Sequence, residues 1–103
     1  KIENCNFFSV NLDKNFTEII KSENLPKPNI LLLDPPRAGV HPKLLKELIK
    51  LETNKIIYIS CNPTTQARDL TQFVENGYIL KKLAMIDMFP HTPHIETVVL
   101  ITK

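Results

Sequence analysis

Apolar residues follow two rhythms along this chain, short unbroken runs and stripes spaced three and four apart, and the two alternate. Asn-Ile-Leu-Leu-Leu (29–33) lacks polar alternation, which predicts a strand covered on both faces in a parallel sheet. Lys-Ile-Ile-Tyr-Ile-Ser (55–60) is the next strand. Between them Pro42 suits a first helical position, and Leu44, Leu45, Leu48 and Ile49 form one stripe with Lys43, Lys46, Glu47 and Lys50 outside it. After the second run Asn62 caps a helix that begins at Pro63 and packs through Ala67, Leu70, Phe73 and Val74, with Asn76-Gly77 as a left-handed stop. Residues 5–10 read as a short first strand, Asp13 as the cap of a helix carrying Phe16, Ile19 and Ile20, and 22–28, with two prolines, as a loop. Residues 78–86 form a long strand, 89–94 a proline-bounded turn, and 95–101 a last strand that pairs antiparallel with the one before it. The order β-α-β-α-β-α-β-β predicts one α/β domain, the second half of a doubly wound sheet.

Composition narrows the function classes. With 103 residues, 43% hydrophobic and 23% charged, this is an ordinary globular chain at the small end for a sheet with helices on both faces. It has no apolar stretch long enough for a membrane helix. A net charge of +2 permits a nucleic-acid partner without requiring one. Two cysteines, Cys5 and Cys61, in these surroundings suit a reducing, cytoplasmic setting better than a disulfide scaffold. Gly39 and Gly77 are the two glycines, too few and too far apart for a glycine-rich phosphate loop. The chain opens on Lys1 rather than Met, which suggests a piece of a longer protein.

Three residues stand where chemistry is done in open α/β sheets, at the carboxyl ends of strands or beside them. Cys61 follows the 55–60 strand and precedes a helix start, a setting that favours a thiolate; the competing reading is a small buried side chain. Asp34 follows the 29–33 strand and is stiffened by Pro35 and Pro36, as a turn residue or a presented carboxylate. Glu96 lies on one face with Val98 and Leu100, either at an exposed strand end or poised as a base. His91 and His94 could join Cys61 or Glu96 around a metal, but the interleaved Pro90 and Pro93 match no recognised ligand spacing, and no metal site is assigned.

Asp-Pro-Pro-Arg-Ala-Gly (34–39), Ser-Cys-Asn-Pro-Thr-Thr (60–65), Asp-Met-Phe-Pro-His-Thr (87–92) and His-Ile-Glu-Thr-Val (94–98), in this order, closely resemble the carboxyl-terminal part of the RNA 5-methyluridine methyltransferases. The resemblance runs from about Phe7 to the end of the chain. It implies a Rossmann-like, class I S-adenosylmethionine-dependent sheet, mostly parallel with an antiparallel last strand, and methylation of uridine C5 in RNA. Cys61 matches the nucleophile that adds to uracil C6, and Glu96 the base that removes the C5 proton. Asp34 and Asn11 match cofactor contacts. Arg37, Asn62, Phe89 and His91 are assigned to the pocket for a flipped nucleotide. The Asp87 to Thr92 stretch favours ribosomal over transfer RNA.

The glycine-rich cofactor turn, the amino-terminal RNA-binding region and the iron–sulfur cluster of some members have no counterpart in these residues, so residues 1–103 read as a partial catalytic domain, inactive by itself. In the family's strand order 3-2-1-4-5-7-6, residues 5–10 match strand 3 and 29–33 strand 4. Strands 1 and 2 are absent, which predicts a bare sheet edge through which the chain self-associates or binds its missing half. Two other readings remain: a non-catalytic α/β interaction module, and an amino-group methyltransferase, for which Arg37 stands where an aromatic residue is needed.

Overall fold

A computed structural model describes residues 12–87 and 95–103, for 12–15 the backbone alone. The expected strand at 5–10 and turn at 89–94 lie outside these residues, as do Asn11, Phe89, His91 and His94. The elements run α1 (Leu12–Ser22), β1 (Ile30–Leu33), α2 (Pro42–Lys50), β2 (Lys55–Ser60), α3 (Pro63–Glu75), β3 (Ile79–Ile86) and β4 (Glu96–Thr102).

Local chemistry sets most of the boundaries. α1 begins at Leu12, so Asp13 falls inside its first turn rather than at the cap. It ends on Asn24 at φ +52°, with Leu25 N–H bonded to Ile20 O and Asn24 N–H to Lys21 O, the paired bonds of a left-handed helix stop. α2 starts at Pro42 behind His41, whose Nδ1 accepts from Lys43 N–H. α3 starts at Pro63 behind Asn62, whose side chain accepts from Thr64 N–H. It stops at Gly77, φ +98°, where Gly77 N–H reaches Val74 O and Tyr78 N–H reaches Phe73 O. The apolar contact that accompanies such a stop is an edge-on pair, with Phe73 and Tyr78 centroids 5.3 Å apart.

The four strands lie in the order β1-β2-β4-β3. β1 and β2 are parallel, while β4 runs antiparallel to both β2 and β3. Three strands therefore point one way with the last strand reversed among them, as expected. A one-residue bulge at Lys81 interrupts β3 between Leu80 and Lys82.

The helices gather on one face of the sheet. From β1 to β2 and from β2 to β3 the chain moves in the same direction across it, so right-handed crossovers place α2 and α3 on the same side. There Ile56, Tyr58, Val99 and Ile101 from the strands meet Val40, Leu45, Leu48 and Phe73 in one buried core, with Phe16 of α1 packed against it. Coverage of β1 on both faces is not what the structure shows: Ile30 is 58% and Leu32 63% exposed. No described element lies over that face, and beyond β1 no described strand continues the sheet. The stripe read for α3 also needs correction. Gln66, Asp69 and Phe73 point inward, whereas Ala67 is exposed and Val74 half so. Polar side chains take the inner positions because they hydrogen-bond to strands and loops there, which an apolar stripe could not do.

Candidate active site

β1 delivers Asp34 to the edge of the sheet. Leu33 pairs with Tyr58, so the next residue sits at the carboxyl end of both parallel strands. Pro35 and Pro36 follow, and Gly39 N–H closes a turn onto Pro36 O at 2.9 Å. Asp34 is exposed. It borders a cavity of about 540 Å³ whose other walls include Leu33, Pro35, Val40, His41 and Arg68.

β2 delivers Cys61 to the same edge. Ser60, buried, brackets it: the Ser60 hydroxyl accepts from Asn62 N–H at 2.9 Å and donates to Asn62 O at 3.0 Å. Asn62 then caps α3 through Thr64 N–H at 3.1 Å. The thiol of Cys61 is free and half-buried, on a turn held at both ends just ahead of a helix start.

The antiparallel register brings in the third residue. Ser60 pairs with Thr97 as the last pair of this ladder, so Cys61 and Glu96 each adjoin one member of that pair. Glu96 is half-buried, pairs across to Ile86 on the other side, and shares the open face of β4 with Val98 and Leu100. Asp34 and Cys61, just past the ends of β1 and β2, and Glu96, which opens β4, thus lie at one edge of the sheet though far apart in sequence. Chemically this is a free thiol and two carboxyl side chains beside an open apolar face.

The other predicted residues divide. Asn62 acts as a cap and a clamp, its Nδ2 donating to Arg37 O at 3.0 Å. Arg37 is held by its main chain, since Thr65 Oγ1 donates to the same carbonyl at 2.8 Å, and its side chain is exposed. Asn11, Phe89 and His91 lie outside the described residues. The cavity beside Asp34 does not include Cys61 or Glu96 in its walls.

Sequence reading missed the residues that hold the site together. Gln66, 2% exposed, donates from Nε2 to Tyr58 O at 3.0 Å and to Thr97 O at 3.1 Å, tying β2 to β4 behind Cys61 and Glu96. Its signal was present: with Asn62, Asp69 and Phe73 it recurs at helical spacing, a polar stripe hidden beside the apolar one.

Known proteins share the sequence and the fold of this chain. A family model described as tRNA (uracil-5-)-methyltransferase matches residues 18–103. An uncharacterized RNA methyltransferase of Caldanaerobacter subterraneus is 48% identical over 99% of this chain, and another from Clostridium tetani is 48% identical over 95%. The chain spans about a fifth of the length of these curated relatives. The crystal structure of Pyrococcus abyssi tRNA (uracil-54, C5)-methyltransferase in complex with S-adenosyl-L-homocysteine superposes on 72% of the chain and 18% of that protein, with a TM-score of 0.65 and 43% identity. The crystal structure of M1.HpyAVI superposes on 88% of the chain and 51% of its own, with a TM-score of 0.59 at 16% identity, a likeness of fold alone.

Proposed function

The chain belongs to the tRNA (uracil-5-)-methyltransferase family, and we propose that it forms the nucleophile-bearing part of an enzyme that methylates uridine C5 in RNA. The observation that carries this reading is the strand register, which ends on the Ser60–Thr97 pair that Cys61 and Glu96 adjoin, at the edge where Asp34 also lies.

Uracil C5 is a weak nucleophile until a group adds at C6. In the proposed reaction the Cys61 thiolate forms a bond to C6, pushing the ring electrons onto O4 as an enolate, and C5 then attacks the methyl donor. S-adenosylmethionine, when bound, would supply that methyl group from its sulfonium, the methyl–sulfur bond breaking with its electron pair left on the departing neutral thioether. Glu96 next takes the C5 proton, the C5–C6 double bond re-forms, and the thiolate leaves C6 with the electron pair of the carbon–sulfur bond. Asp34 and its stiff proline turn suit one edge of the cofactor site, and the cavity beside them lies within the size range of small-molecule pockets. The chain's two glycines cannot build a glycine-rich cofactor loop, and its two cysteines cannot ligate a four-thiolate iron–sulfur cluster. We therefore assign it a partial catalytic domain that is inactive by itself, working in the cytoplasm. The bare edge of β1 pairs with the rest of that domain or, in the isolated chain, with another copy. Among the described residues no helix is long and apolar enough to cross a membrane. The substrate is proposed to be ribosomal RNA, from the Asp87 to Thr92 stretch.

The test replaces the matching segment of the Caldanaerobacter relative with this chain and supplies 5-fluorouridine RNA, ribosomal and transfer. Fluorine cannot leave C5 as a proton does, so the covalent adduct accumulates. Cys61→Ala is expected to abolish both adduct and methylation, whereas Glu96→Gln keeps the adduct on normal RNA and slows its release. Undiminished methylation by Cys61→Ala would sink the mechanism. Calorimetry with S-adenosylmethionine on the isolated chain should show weak or no binding.

A further inference from the structure

The 34–39 loop and the Cys61 turn are held by one face of α3, and that face buries a carboxyl side chain. Asn62, Thr65, Gln66 and Asp69 lie within one stripe of the helix. The first two hold Arg37 O. Asp69 is 1% exposed and has four donors. Its Oδ2 accepts from Tyr58 OH at 2.6 Å and from Val40 N–H at 2.8 Å. Its Oδ1 accepts from Arg68 Nε at 3.2 Å and Arg68 Nη2 at 3.0 Å. Arg68 Nη2 also donates to Ala38 O at 2.8 Å.

We infer that Asp69 is a positioning residue of the site, whose carboxylate, with Arg68, locks the loop carrying Asp34 against the strand carrying Cys61. This inference rests on the reading given under Proposed function, in which both residues serve one reaction.

Val40 directly, and Ala38 through Arg68, are the end of the loop; Tyr58 is three residues ahead of Cys61 on β2. A leucine would fill the same space, and burying a carboxylate is costly unless it is fully paired. What the carboxylate adds is direction: it fixes three segments at hydrogen-bond length where an apolar contact would let them slide. Gly39 is fitted to the same grip. It sits at φ +85°, and a Cβ there would lie 2.6 Å from Arg68 Nη2 and 2.7 Å from Asp69 Oδ2. The loop can come this close because nothing projects from it. Two sequence features without an evident role, the glycine ending Asp-Pro-Pro-Arg-Ala-Gly and the Arg68-Asp69 pair, are thus the two halves of one contact.

An asparagine at 69 keeps the shape and loses half the acceptors. Its NH₂ must face either the Tyr58–Val40 pair or Arg68, so Asp69→Asn should retain part of the grip and Asp69→Ala none. In this chain, amide hydrogen exchange compares Val40 with Val99 of the central strand. In Asp69→Ala the Val40 amide should lose about a hundredfold more protection than Val99, with Asp69→Asn in between. Equal losses at the two amides overturn the inference, because a merely structural aspartate would lower both together. Should Asp69→Ala fail to fold, Asp69→Asn carries the same comparison. In the Caldanaerobacter relative carrying this chain, Asp69→Ala should lower kcat at least about tenfold with KM for RNA within about twofold, and Asp69→Asn should restore part of it. Unchanged kcat also overturns the inference. No methylation by the unsubstituted exchange counts against the proposed function instead, and the amide comparison then decides the grip on its own.

Discussion

Both glycines of this chain occupy left-handed backbone, but their surroundings differ, and Gly→Ala at each should separate strain from crowding. Gly39 has φ +85° and Gly77 φ +98°, so a Cβ adds conformational strain of about 1–2 kcal/mol at either. Both substitutions also restrict the unfolded chain, which returns about 0.4–1 kcal/mol in each case. These shared effects leave Gly77→Ala destabilised by roughly 1 kcal/mol, because its nearest neighbours, Lys103 Nζ and Cε at 3.7 and 3.9 Å, are the far end of a flexible side chain. At Gly39 the new methyl meets Asp69 Oδ2 at 2.7 Å and Thr65 Cβ at 3.2 Å. Arg68 can swing outward into solvent; Asp69 cannot, being buried against Tyr58 and Val40. Displacing it weakens at least one charge-assisted bond, a further 1–3 kcal/mol or so. With a urea m-value near 1–2 kcal/mol per M, Gly39→Ala should unfold about 1 M earlier than Gly77→Ala. Urea unfolding followed by circular dichroism measures the difference. Equal midpoints, or a larger effect at Gly77, would refute the reasoning, since they would mean that the loop does not press against Asp69.

Two further outcomes follow from burial and exposure. The chain has two tyrosines and no tryptophan, so absorbance near 295 nm reports Tyr58 and Tyr78 alone. Burial first, then the Asp69 carboxylate, pushes the Tyr58 phenol well above its ordinary 10.0, and burial first, then the Glu52 charge, raises Tyr78. The folded state prefers the neutral phenols, so their contribution is complete below about pH 10 and is lost as pH climbs above it; each tenfold tightening of a phenol's hold on its proton contributes about 1.4 kcal/mol. Phenolate absorbance and loss of ellipticity should therefore rise together; ionisation near pH 10 with the ellipticity intact would contradict this. On the open face, Leu32→Lys should shift the isolated chain toward monomer in light scattering at little cost in stability, because Leu32 is 63% exposed. A parent chain that is already a stable monomer at every concentration would rule out pairing through β1.

Much of the fold was legible because each boundary has a local cause. Pro42 and Pro63 open helices behind His41 and Asn62, Gly77 closes one, and unbroken apolar runs mark β1 and β2. The strand ends that carry Asp34, Cys61 and Glu96 could be read in the same way. What failed was inference about the faces. Ile-Leu-Leu-Leu looks the same whether one face of β1 is covered or two, since hydrophobicity says what should be buried and not what is there to bury it. The inner face of α3 was misread for a related reason: Gln66 and Asp69 look like surface residues until their partners are known, and those partners come from β2, β4 and the 34–40 loop.

By itself the sequence determined the elements among the described residues, their order, and a thiol and two carboxylates at element ends, because caps, turns and periodicity act over a few residues. Only the tertiary structure decided the register that ends on the Ser60–Thr97 pair between Cys61 and Glu96, and that Asp69 ties the loop to the strand. Those relations depend on strand register and helix packing between residues distant in sequence, and no local preference encodes them.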